Sequence, residues 1–216
     1  MEIHRTSEDR CPAGIIAVAI NGDNDGPHCG IVYTSLSGAI CLCETVIEGA
    51  IQVRKLPNHF YWTPTNLEPD EALQIMVFIE FVTAENRTPV PYSFIYPDDA
   101  FDAVGRIRAG VGFTCATFVS AIFDHFKYNI VDVTTWRARR VQDPQFRSRI
   151  IELAENDGYS VAAARLRMEA EHFRLKPWEL FGSATHSRYP VRFVQARKLA
   201  KIVTKLMRKM RHLLSP

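Results

Sequence analysis

The 216-residue sequence predicts an α+β fold: a small antiparallel sheet packed on a cysteine-bearing helix, with additional C-terminal helices. Three observations lead there. Short apolar, β-branched runs separated by turn residues fill the first quarter of the chain. After Asn66 the apolar spacing changes to three and four residues, the period of a helix. Beyond the glycine-broken Gly110-Val111-Gly112, the run Cys115 to Phe126 carries Phe118, Val119, Ile122, Phe123 and Phe126 on one helical face.

Taken in order, Gly14 to Ile20 reads as a buried strand, bounded by Pro12 and by Asn21-Gly22-Asp23. His28 to Thr34 is a second strand. Ser35 to Gly38 turns the chain, Ala39 to Ile47 returns as a third strand, and Ala50 to Leu56 adds a fourth, giving a meander. Pro69, Asp70 and Glu71 mark the start of a helix within Asn66 to Ala84, although Val77 to Phe81 also has strand character. Thr88 to Pro97 holds three prolines and is a loop, and Asp98 to Arg108 is expected to be a short helix. Thr114 or a neighbour opens the Cys115 helix. Further helices are expected over Pro144 to Asn156, Ser160 to Leu175 and about Phe193 to Leu214. The chain divides into a core (1–142), a helical extension (143–190) and a C-terminal helix (191–216).

Composition narrows the function. The hydrophobic fraction is 47% and the charged fraction 23%, ordinary for a globular chain able to bury a core without disulfides. There is no run of 18 apolar residues, and Met1 to Arg10 lacks the apolar segment of a secretory signal. Five cysteines, an odd number with Cys41 and Cys43 two apart, do not form a disulfide framework, so a reducing, cytoplasmic location is expected. No phosphate-binding loop and no dinucleotide fingerprint occurs, and no cofactor is expected. Cys29, Cys41 and Cys43 lack the loop spacing of zinc ligands and read as small core residues; no metal is expected.

The candidate chemistry centres on Cys115. Where a helix begins, free N–H groups and the helix dipole favour an anion, so a thiolate is stabilised there and an oxyanion can be too. The alternative is an inert buried cysteine on a core helix. His28, at a strand end, is suited to take the thiol proton and return it to a leaving group. Such an imidazole needs a third group to orient it. A hairpin centred near Leu36 sets Glu44 across from His28, with Glu48 as the other candidate. His59, beside aromatics in LPNHFYWT, is a further histidine that follows the hairpin.

The segments PHCGIVYTS, VPYSFIYPDDAF and GFTCATFVSAIF, in that order, resemble the permuted NlpC-like superfamily of papain-like enzymes. That superfamily includes cysteine amidases and peptidases and the lecithin–retinol acyltransferase-like proteins. The resemblance covers roughly Gly14 to Phe126. It implies a permuted papain-like fold, Cys115 as nucleophile, His28 as base, Glu44 as its orienting partner, and Tyr92 and Thr114 beside the substrate. It implies hydrolysis of an amide or peptide bond through a thioester, with two alternatives: acyl transfer on lipid-like substrates, or an inactive binding module. The chain departs from the pattern at Cys29, where an aliphatic residue is usual, and at Ser93 and Ala116-Thr117.

Charge is uneven. After Glu179 there is no acidic residue but nine Lys or Arg, while 17 basic and 24 acidic residues precede. Leu199, Ile202, Val203, Leu206, Met210 and Leu213 recur at helical spacing among these cations. Such a helix either docks its apolar stripe on the acidic body or engages an anionic membrane or a protein partner; nucleic acid is not the expected ligand.

Overall fold

The computed structural model describes residues 1–6, 11–21, 26–35, 37–46, 49–136, 143–169 and 173–212, with side chains through Met210. Six strands, β1 (His4–Arg5), β2 (Ile16–Asn21), β3 (Cys29–Thr34), β4 (Ile40–Glu44), β5 (Gln52–Lys55) and β6 (Phe60–Pro64), form one antiparallel sheet in the order β1-β6-β2-β3-β4-β5. Six α-helices follow: α1 (Pro69–Glu85), α2 (Cys115–His125), α3 (Asp143–Asn156), α4 (Ser160–Met168), α5 (Pro177–Ala184) and α6 (Phe193–His212). The fold is α+β, a small sheet packed on the helix that begins with Cys115.

Alternation along the strands divides the interior. Ile16, Val18 and Ile20 of β2 join Cys29, Ile31 and Tyr33 of β3 in the main core, under α1, α2 and α5. Ala17, Ala19, Val32, Leu42, Phe60 and Trp62 form a smaller cluster on the opposite face. Both faces are therefore apolar, which is why these strands read as continuous rather than alternating runs. The main core is continuous with the C-terminal half: Leu180, Phe181 and Ala184 of α5 and Ala196, Val203 and Met207 of α6 belong to it.

Several expectations are corrected. Residues 98–108 form a turn-rich loop, not a helix: Asp102 accepts N–H bonds from Val104 (3.0 Å) and Arg106 (2.9 Å), and Gly105 takes a positive φ of 80°. The fourth helix stops at Met168 rather than Leu175, since Glu169 turns extended and its carboxylate accepts the Phe94 N–H at 2.8 Å. The strand after the loop begins at Cys29, one residue past His28. The helix expected within Asn66 to Ala84, by contrast, stands as α1, with Val77 to Phe81 helical inside it. Strand β6 and helix α5 were not anticipated.

Candidate active site

Helix α2 begins at Cys115 because Thr114 caps it. Thr114 Oγ1 accepts the Thr117 N–H (3.2 Å) and Thr117 Oγ1 accepts the Thr114 N–H (2.8 Å), a reciprocal capping box. The N–H groups of Cys115 and Ala116 lie in the first turn and have no helical acceptor. Just before it, Phe113 N–H donates to the Pro91 carbonyl at 2.9 Å. Gly112 permits that approach, since a Cβ there would overlap the Pro91 carbonyl and lie 2.9 Å from the Ser93 Cβ. Tyr92 is thereby brought beside the helix start.

His28 is held by its backbone. Asn21, at the end of β2, accepts the His28 N–H through Oδ1 (2.7 Å) and donates its own N–H to the His28 carbonyl (2.9 Å). Glu44 ends β4. The β3–β4 register pairs Ile31 with Cys43, which sets Glu44 across from Gly30 and diagonal to His28. The expected pairing is displaced by two residues, which preserves the face. Gly30 keeps space there: a Cβ would lie 2.7 Å from the Cys43 carbonyl and 3.3 Å from the Glu44 Cβ.

Three donors converge on the Glu44 carboxylate. His28 Nε2 lies 2.8 Å from Oε2, while Gln52 Nε2 (3.1 Å) and Arg54 Nε donate to Oε1. The Glu44 side chain is 0% exposed and that of His28 24%. Burial alone would raise the Glu44 pKa, but the bonds from His28 and Arg54 bring it below the usual carboxylate value. Burial likewise works against a charged His28, yet its contacts with the Cys115 sulfur and with Glu44 push it up to about 10. With Nε2 on Glu44, Nδ1 is the nitrogen left for the sulfur.

Cys115 is held well below the ordinary thiol range. A hydrogen bond from the Cys29 thiol contributes most, burial opposes, and His28 adds its hydrogen bond and charge. Cys29 moves the other way, raised by burial and by its bond to Cys115, and so stays a neutral donor. Both shifts favour a thiolate–imidazolium pair, backed by a buried carboxylate.

The pair opens onto a cleft of about 530 Å³. Thr114 and Tyr92 line it beside Cys115 and His28. The far wall comes from the helical extension: Phe146, Ile150 and Leu153 of α3, and Trp178 of α5. Tyr92 is buried and its phenol is raised accordingly. Cys115, His28, Glu44, Tyr92 and Thr114 are therefore brought together. His59 is not; it sits exposed in the β5–β6 turn. Glu48 lies outside the described residues. Sequence reasoning missed Asn21, Gln52 and Arg54. Their signals were present: an Asn at a strand end, and polar residues two apart on the strand facing Glu44.

No family model, no curated protein and no solved structure matches the chain.

Proposed function

We propose that the protein is a cysteine hydrolase that cleaves an amide or peptide bond through a thioester. The observation that carries this reading is that Cys115, at the mouth of α2, lines one cleft with the imidazole of His28, whose Nε2 is held by buried Glu44. The Cys115 thiolate attacks the carbonyl carbon, and the N–H groups of Cys115 and Ala116 face the developing oxyanion. His28 gives its proton to the departing amine, leaving a thioester on Cys115. Water then attacks with His28 as base, and the acid leaves as the thiolate re-forms. Every proton and electron pair in this sequence comes from Cys115, His28, water and substrate. The order His28, Glu44, Cys115 along the chain agrees with the permuted papain-like resemblance. Five unpaired cysteines suit a reducing compartment such as the cytoplasm.

The test is acylation by p-nitrophenyl acetate, followed by intact mass. Wild type is expected to acetylate at Cys115 and release the group. His28→Ala should slow acylation by about 10²–10⁴-fold, the usual contribution of a positioned base. Equal rates in wild type and His28→Ala, or equal labelling of folded and denatured protein, would sink the reading.

Transfer of an acyl group to or from a lipid-like molecule is a second reading, supported by α6. Its outward side carries exposed Val194, Ile202 and Leu206 next to exposed Lys198, Lys201 and Lys205. Sedimentation with anionic vesicles tests it: wild type should pellet, and Ile202→Ser with Leu206→Ser should not. Among the described residues no helix is long and apolar enough to cross a membrane.

A further inference from the structure

The far wall of the cleft carries positive charge that the acyl chemistry does not use. Two arginines of the helical extension are spent inside the protein. Arg147 donates to the Leu166 carbonyl and to that of Glu169 (2.6 Å), tying α3 to α4, and Arg165 donates to the Tyr92 carbonyl. Two others, Arg149 and Arg174, line the cleft together with Cys115 and His28. Arg149 stands two residues on from Arg147, on the other side of α3, exposed and with no partner among the described residues. Arg174 lays its guanidinium over the Phe146 ring, 3.1 Å from the centroid. Phe146 and Arg149 are three apart on one helix, so their side chains are neighbours. Two guanidinium groups thus flank one ring, and no described residue lining the cleft is an Asp or Glu. Around them Ile150, Leu153 and Trp178 supply apolar surface. Phe146 and Ile150 pack with Tyr92 in a small core of their own, so this wall is preformed.

We propose that the cleft selects substrates that bear a carboxylate, held by Arg149 and Arg174 while an apolar part of the same molecule lies on Phe146, Ile150 and Trp178. The inference rests on the hydrolase reading, since it names what the amide or ester cut by Cys115 carries. Two like charges gathered about one ring repel each other, and an anion placed between them is attracted by both. Apolar walls focus that field into the cleft. A guanidinium meets a carboxylate through two parallel N–H bonds, a match in shape as well as charge. The Arg174 group is already stacked, so it loses less freedom when it binds. The same pair works against a substrate with a cation at that position, and a neutral one gains nothing from it. The arginines are therefore specificity-determining, and the acyl chemistry itself stays with Cys115 and His28.

The test compares esters that differ by a single charge. On the acyl side, p-nitrophenyl hydrogen adipate is set against p-nitrophenyl hexanoate. On the leaving-group side, the acetate ester of p-hydroxyphenylpropionic acid is set against that of p-propylphenol. In at least one pair wild type should favour the anion by about tenfold or more in kcat/KM, mainly through KM, at about 0.01 M salt, and lose most of that preference at about 1 M. Arg149→Gln should weaken the preference and Arg149→Glu should reverse it; the residue is exposed, so both variants should fold. No preference in either pair, or one that Arg149→Glu leaves intact, overturns the proposal. Binding is also read without turnover. Adipic acid monoanilide should slow alkylation of Cys115 by iodoacetamide at a concentration where hexanoic anilide does not, and Arg149→Glu should abolish the protection. If no ester acylates Cys115 yet this protection holds, the hydrolase reading falls and the anion site stands. If the esters acylate Cys115 without preference and the anilide gives no protection, the anion site is wrong and the hydrolase reading stands.

Discussion

Glu44 shows how much one side chain can be asked to hold. It has no exposed surface, ends an inner strand and receives donors from three other residues. Removing its charge takes one of its two partners from His28⁺ and leaves half-exposed Arg54 without its carboxylate. Glu44→Gln should therefore cost about 1.5–3 kcal/mol at neutral pH, the range for charged hydrogen bonds. The difference from wild type should depend on pH at both ends. Glu44 has a depressed pKa, so its stabilisation is present above the ordinary carboxylate value and lost as pH falls through the folded one. His28 has a raised pKa, so the stabilisation it contributes is complete below 6.5 and lost as pH rises through about 10. Urea midpoints of the two proteins should converge in acid and draw closer, without meeting, in alkali, where Arg54 keeps its charge beside Glu44. A constant gap across pH would show that packing, not charge, is what Glu44 supplies. At this scale Cys115, His28 and Glu44 were legible, because residue type and strand parity survive a register error of two. Cys29 as a donor was not, since a strand pattern says which face a side chain takes but not what crosses it.

Helix α2 is the element on which the proposed nucleophile depends, and its start is a local matter. Residues Ala116 to Phe123 are all buried, so packing sets the axis of the helix, while the Thr114–Thr117 box sets where it begins. Thr114→Ala removes one acceptor and exposes the first turn to fraying. The expected loss is about 1 kcal/mol in a denaturant titration, with Thr114→Ser close to wild type. The alkylation profile of Cys115 by iodoacetamide should shift to higher pH in Thr114→Ala, since a frayed turn holds a thiolate less well. A stability loss with an unmoved profile would mean that Cys29 and His28 alone set the thiol. Periodic elements such as α1, α2 and α6 could be read from spacing. Those that failed lacked a period. Helix α5 is buried over seven of its eight residues, Pro177 and Glu179 to Ala184, and so shows no polar face. Strand β6 buries Tyr61 on one side of the sheet and Phe60 and Trp62 on the other, and pairs with β2 across some forty intervening residues. Neither feature leaves an alternating pattern in the sequence.

At the scale of the whole molecule, α6 decides whether the C-terminal end is an appendage or part of the core. Ala196, Val203 and Met207 are buried in the same cluster that holds α2 and the sheet. Gly182 of α5 meets α6 so closely that a Cβ would stand 2.8 Å from the Ala200 amide nitrogen. Among the described residues no ion pair joins the cations of α6 to the body, so apolar contact holds the helix, not the charge asymmetry. Two kinds of substitution should then behave oppositely. Gly182→Ala forces the helices apart and is expected to cost about 1–3 kcal/mol, as overpacked sites do. Ile202→Ser with Leu206→Ser, on the exposed edge, should stay within about 0.5 kcal/mol of wild type per position. Both proteins should unfold in one transition, because helix and sheet share one core. Two transitions, with an early one confined to α6, would mean that the helix folds on its own account. The far wall of the cleft stands on α3 and α5, and α5 is braced from behind by α6. Loosening that contact should therefore also quicken reagent access to Cys115, a readout that stability alone does not move.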